Sequence, residues 1–125
     1  MNTLIVQVRP FGDAFYRSSL FPRSHLLTGT QGQDPGYDPL EYMVKAAHEN
    51  GLEIHAWVNP LRIQLNINPS ELAENNPYTQ WSQDESKKRW VVEYESGKYF
   101  NPAYAEVRKY IADGVKEIVQ NYDVD

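Results

Sequence analysis

The 125-residue chain contains no cysteine, only two methionines and no extended basic block. Without cysteine there can be no disulfide scaffold and no thiolate-ligated zinc. Seventeen acidic residues against twelve basic ones give a formal charge of −5, with no basic block to grip phosphates. Nucleic acid is therefore not an expected partner. The apolar runs are far too short to span a bilayer. Solenoid-length repeats and low-complexity tracts are missing, as are a Gly-rich phosphate loop, a nucleophile elbow and an HExxH signature. There is no positively charged leader region followed by a cleavage signal. What is present is a globular composition, 41% apolar, with nine Tyr, three Trp and four Phe. Such rings serve either a packed core or a sugar-binding surface.

Two segments alternate with the period of a strand. In the first, Leu4, Val6 and Val8 share one face while Thr3, Ile5, Gln7 and Arg9 share the other, and Pro10 ends the run. In the second, Ile54, Ala56 and Val58 oppose Glu53, His55, Trp57 and Asn59, and Pro60 ends it. The residue before each proline is pushed toward an extended backbone, which fixes the aim of Arg9 and Asn59. Between the strands a helix is punctuated by Asp38 as cap, Pro39 at the first position, Glu41 completing a capping box and Gly51 as stop. Its buried stripe is Leu40, Met43, Val44 and Ala47. Strand, helix and strand then make a parallel βαβ unit. A second helix is expected after Asn101 as cap and Pro102, with Val107, Tyr110, Ile111, Val115, Ile118, Val119 and Tyr122 along one face. Trp90–Tyr94 and Lys98–Phe100 flank Ser96-Gly97 as a small hairpin. Residues 11–37 and 63–83 lack periodicity apart from one short helical turn expected at Ser70–Glu74. Both follow strand C-termini, where α/β proteins place their sites.

In a closed parallel barrel one strand face packs on helices and the other points inward. The aliphatic sets suit the helix side. Gln7, Arg9, His55, Trp57 and Asn59 then point inward near the mouth, where burying them is costly unless they pair with something. They form either a hydrogen-bonding floor for a hydroxyl-rich ligand or an internal network that satisfies itself. Trp57 is either a stacking platform or core. His55 has no second histidine two residues away, so a metal site has little support and no cofactor is expected. Glycoside chemistry normally needs two carboxylates flanking the bond. The loop acids are Asp13, Asp34 and Asp38, of which Asp38 is committed as a cap and the other two suit Asx-turns.

The segments Ile5-Val6-Gln7-Val8-Arg9-Pro10, Gly12-Asp13-Ala14-Phe15-Tyr16 and Leu27-Thr28-Gly29-Thr30-Gln31-Gly32 together resemble the glycoside hydrolase-like 10 family of bacterial TIM-barrel proteins. So do Asp34-Pro35-Gly36-Tyr37-Asp38-Pro39-Leu40, Gly51 through Pro60, Arg62, Asn101-Pro102 and Val119 through Asp125. The resemblance covers nearly the whole chain apart from residues 64–95. It implies an α/β fold that is part of a (β/α)8 barrel, with residues 1–125 as a partial domain of about two βα units truncated at both ends. It also implies an exported or cell-envelope glycosidase, in some members linked to peptidoglycan glycan strands, with a polysaccharide or oligosaccharide as partner. The family's paired aspartates are expected beyond Asp125, so this stretch itself is expected to be inactive. Gln7, Arg9, Asp13, His55, Trp57, Asn59 and Arg62 carry over as substrate-binding wall residues. The competing readings are a non-catalytic carbohydrate-binding barrel and, with less support, a metal-dependent amidohydrolase using His55. A partial barrel exposes strand edges and an apolar face, so self-association and poorly ordered long loops are expected.

Overall fold

Alternation and β-branching favour an extended Thr3–Arg9, and the computed structural model, which describes residues 1–125, shows it as strand β1. In chain order there follow α1 (His25–Thr28), α2 (Pro39–Glu49), β2 (Glu53–Val58), β3 (Arg62–Gln64), α3 (Pro77–Trp81), a 3-10 turn at Lys88–Trp90, β4 (Val91–Tyr94), β5 (Gly97–Phe100) and α4 (Ala105–Asn121). The protein is mixed α/β with two small sheets. β1 and β2 pair in parallel, and β3, β5 and β4 form an antiparallel sheet in that order.

The βαβ unit forms as its local signals dictate. Asp38 has an extended backbone, and its Oδ1 accepts from the Glu41 amide at 3.3 Å. Leu40, Val44 and Ala47 are buried, and Met43 packs against them. Gly51 sits at φ 68°, a left-handed conformation that costs glycine nothing, and releases the chain into β2. No helix is long and apolar enough to cross a membrane.

The second helix departs from expectation at its start. Asn101 does not cap it. The Asn101 side chain accepts from the Ala103 amide at 3.1 Å and donates to the Arg89 carbonyl at 3.1 Å. Those bonds hold Asn101 and Pro102 in a turn tied to the hairpin, and α4 begins at Ala105 without a side-chain cap. Val107, Gly114 and Ile118 are its buried residues, with Tyr110 and Ile111 partly covered. Val115 and Val119 lie off that face and are exposed. They flank an apolar cleft of about 300 Å³ that includes Ala56, Val58 and Val124.

Beyond α4 the chain returns to the free side of β2. The Asp125 amide donates to the Ile54 carbonyl at 2.8 Å, and the Ile54 amide donates to Asp125 Oδ2 at 2.9 Å.

The long segment after β1 is packed rather than loosely attached: Ala14, Tyr16 and Phe21 belong to the hydrophobic core. Ser70–Glu74 is not helical. The helical turn lies later, at α3, where Asn76 caps by accepting from the Tyr78 amide at 2.9 Å. The hairpin forms with Tyr94 opposite Gly97, so Glu95 and Ser96 make the turn and Glu95 takes φ 53°. Much of the aromatic content is core. Trp81 makes edge-on contacts with Tyr110 at 4.9 Å, Trp90 at 5.1 Å and Phe100 at 5.7 Å, joining α3, α4 and the hairpin.

Candidate functional site

The register of β1 and β2 places Ile5 beside His55 and Gln7 beside Trp57. Neighbours in a parallel pair point to the same side, so these four share one sheet face. That face is open, with Ile5 69% and Trp57 52% exposed. The Trp57 indole N–H donates to Asn59 Oδ1 at 3.1 Å. Asn59 Nδ2 donates to the Pro10 carbonyl at 3.1 Å, and its amide donates to the Arg9 carbonyl at 2.9 Å. Asn59 thus ties together the C-terminal ends of both strands and fixes the edge of the indole, leaving the ring accessible. Arg62 follows in β3 opposite Tyr99 of β5. With Asn59, Pro60 and Leu61 they line an open groove of about 330 Å³. His55 lies further down the strand, with Nε2 3.4 Å from Glu53 Oε2 in an exposed pair.

Arg9 is placed elsewhere, contrary to strict alternation. The register shifts between Gln7 and Arg9, so Arg9 pairs with Val58, a residue of the helix-facing set. A bulge of this kind moves a side chain to the opposite face. Arg9 is 1% exposed, and its guanidinium lies 4.3 Å from the centre of the Phe21 ring, against Gly114 of α4. It therefore joins the helix side and not the open face with Gln7.

Asp13 is fully buried in the loop after β1, and neither carboxylate oxygen has a hydrogen-bond partner. Burial pushes its pKa up to about 6. The Ser24 hydroxyl, the nearby amides and the Arg9 charge oppose that shift, but none of the surrounding groups meets the geometry of a hydrogen bond. The closest cationic or protonatable group is His25, with Nδ1 3.8 Å away. Burial lowers the His25 pKa, which keeps the ring neutral at neutral pH.

The other loop acids have structural tasks. Asp34 Oδ1 accepts from the Gly36 amide at 2.8 Å and lies 3.8 Å from Arg23. Asp38 combines its cap with an acceptor role toward the Tyr122 hydroxyl. Trp57, Asn59 and Arg62 thus meet at one rim, with Gln7 beside Trp57. His55 is lower on the same face, Asp13 is sealed beneath the loop, and Arg9 is on the other side. Tyr99 and His25 join this region without any local pattern that marks them. Tyr99 arrives only through β3–β5 pairing, and His25 is recognisable only by its distance to Asp13.

Strand ends carrying an exposed indole, amides and a guanidinium around an open groove define an α/β protein with a polar, aromatic-rimmed mouth. The chain belongs to the family described as Glycosyl hydrolase-like 10, whose model matches residues 1–125. It is similar to "Glycosyl hydrolase YngK" of Bacillus subtilis (strain 168), with 43% identity over 126 residues. It is also similar to "Glycosyl hydrolase DigH" of Escherichia coli (strain K12), with 36% identity over 131 residues. Both alignments cover 100% of this chain, which spans 24% of the length of the first relative and 29% of the second.

Proposed function

We propose that residues 1–125 form part of the mouth of a (β/α)8 barrel in a glycoside hydrolase, and that its substrate is a bacterial cell-envelope polysaccharide such as peptidoglycan glycan strands. The observation that carries this reading is Trp57, half exposed at a strand end with its indole edge held by Asn59. A fixed ring with a free face suits stacking on a sugar, because the apolar face of a pyranose matches an aromatic surface. Family membership agrees with it, and the 125 residues are about half of the roughly 250 typical of such a barrel.

In this reading Trp57 packs against a sugar ring, while Gln7, Asn59 and Arg62 bind its hydroxyl or carboxylate groups and His55 borders the same face. Arg9 supports the wall from behind. Hydrolysis through an oxocarbenium-like transition state needs two carboxylates flanking the bond. Asp34 and Asp38 are held in structural bonds and Asp13 is sealed. In this reading the catalytic pair is the one that the family resemblance implies beyond Asp125. Residues 1–125 bind and orient glycan without cutting it.

The test is Trp57→Ala in the whole protein, assayed on purified glycan strands. The expected result is a KM raised at least tenfold with kcat less affected. Unchanged kinetics would remove Trp57 from the site. Binding of glycan by the native whole protein without any release of product would instead favour a non-catalytic carbohydrate-binding role for the same groove.

A further inference from the structure

Asp13 and His25 stand outside the groove just described, and neither has its polar atoms satisfied. Both Asp13 oxygens and His25 Nδ1 are buried without hydrogen-bond partners, and they face each other at 3.8 Å. Arg9 Nη1 and Nη2, Tyr16 Oη and Gln31 Nε2 are also buried without partners. Leaving such groups unpaired in a protein interior is costly, and a functional demand is one explanation for it. The pair lies at the mouth. The Phe11 ring is 6.1 Å from that of His25, and the Gly12 amide donates to the carbonyl of Ile63, next to Arg62, at 3.1 Å.

We propose that Asp13 positions His25, fixing Nδ1 as its protonated nitrogen and presenting a bare Nε2 as hydrogen-bond acceptor for a sugar hydroxyl at the β1 mouth. The choice of ligand rests on the carbohydrate reading above; the pairing of the two residues does not. A carboxylate has only lone pairs to offer, so the imidazole nitrogen facing it must carry the proton. The second nitrogen of a neutral ring is then an acceptor. The His25 side chain is 15% exposed although Nδ1 is sealed, so its exposure lies toward the opposite edge of the ring. Arg23 donates to the Tyr37 carbonyl at 3.1 Å and approaches Asp34. Arg9 stacks on Phe21 with Nη1 and Nη2 lacking hydrogen-bond partners, so its charge favours the ionised Asp13 without a bond to it. A separation of 3.8 Å is longer than a hydrogen bond, and contacts of this type are commonly long in unliganded sites and tighten on binding.

Long-range proton–nitrogen NMR of the 15N-labelled protein at neutral pH reads the tautomer directly. The native His25 ring is expected to be protonated at Nδ1 and bare at Nε2. In Asp13→Ala its nitrogen signals should shift toward the opposite tautomer. A native ring protonated at Nε2, or an unchanged spectrum in Asp13→Ala, would overturn the pairing. The native spectrum decides this point even if the variant does not fold. A β-linked N-acetylglucosamine tetramer is then titrated in. A saturable shift of the His25 Nε2 signal supports the contact. A shift at the Trp57 indole with none at His25 overturns His25 as a sugar ligand. If neither moves, the carbohydrate reading of this mouth fails while the Asp13–His25 pairing stands on its tautomer.

Discussion

Gly114 of α4 lies directly against the guanidinium of Arg9. A Cβ at this position would collide with Nη1 and come within 2.8 Å of Cε2 of Phe21. The helix can approach this closely only because residue 114 has no side chain, and the approach seals a cation onto an aromatic ring. Gly114→Ala should therefore destabilise the protein by about 1–3 kcal/mol through overpacking, despite alanine's better helix propensity. Urea unfolding measures it, and a stabilised variant would show that Arg9 is free to move aside.

This contact also explains what could be read in the sequence and what could not. β1, α2 and β2 were legible because their signals are local: alternation, Asp38 before Pro39, and Gly51 at the helix end. The direction of Arg9 was not, because a bulge is a property of two strands in register and leaves no mark in either one alone. Asn101 carries a cap's residue type and the right neighbour, yet its side chain is claimed by Ala103 and Arg89, a tertiary competition. Val115 and Val119 fit the helical period, but the narrower stripe ending at Gly114 and Ile118 is the one that meets the core. For the candidate site, the strand-end residues Trp57 and Asn59 are visible from their position before Pro60. Tyr99 and His25 are not, since only tertiary contacts bring them to the mouth.

Asp38 joins two elements distant in sequence, capping α2 through one oxygen and accepting from Tyr122 through the other. Asp38→Ala should cost about 2 kcal/mol, roughly half from the cap and half from the stranded phenol. Tyr122→Phe should cost only the second part, and a double-mutant cycle should return a non-zero coupling. Strict additivity of the two changes would show that the bond contributes nothing.

Trp57 and Trp81 offer opposite outcomes from one substitution. Trp81 is 8% exposed within the aromatic cluster, and its replacement by alanine should cost about 3–5 kcal/mol. Trp57, half exposed, should change stability by only about 0.5 kcal/mol when replaced, while weakening glycan binding. Thermal melts of the two variants make the comparison, and a large loss at Trp57 would identify it as a core residue.

His48 Nε2 lies 2.8 Å from Asp125 Oδ2, with Asp123 3.8 Å from the other ring nitrogen. The bond to Asp125, helped by the charge of Asp123, raises the His48 pKa above its ordinary 6.5. The bonds from His48 and the Ile54 amide lower the Asp125 pKa below its ordinary 3.8. A raised histidine stabilises the fold below 6.5, and the gain is lost as pH rises through its native value. A lowered carboxylate stabilises above 3.8, and that gain is lost as pH falls through its native value. The two overlap between 3.8 and 6.5. The Tm difference between native protein and His48→Gln should therefore be largest near about pH 5 and vanish by about pH 9. A difference independent of pH would remove the ion pair as its cause.

Asp13 acts with the opposite sign. Its pKa is raised from 3.8 to about 6 by burial, so the native state holds a proton that the unfolded chain has already released. Between those two values the folded protein binds more protons, and its stability falls as pH rises. The loss is complete above pH 6 and is on the order of 3 kcal/mol. Asp13→Ala removes the group that titrates, so the stability of native protein relative to the variant should decline across this window and level off above it. Paired urea titrations at several pH values measure the difference. A flat difference would mean that the Asp13 carboxyl is ionised throughout, held by a donor as effective as water. The declining profile would show a carboxylate kept at the mouth at a cost in stability, which is expected of a side chain retained for its action on His25.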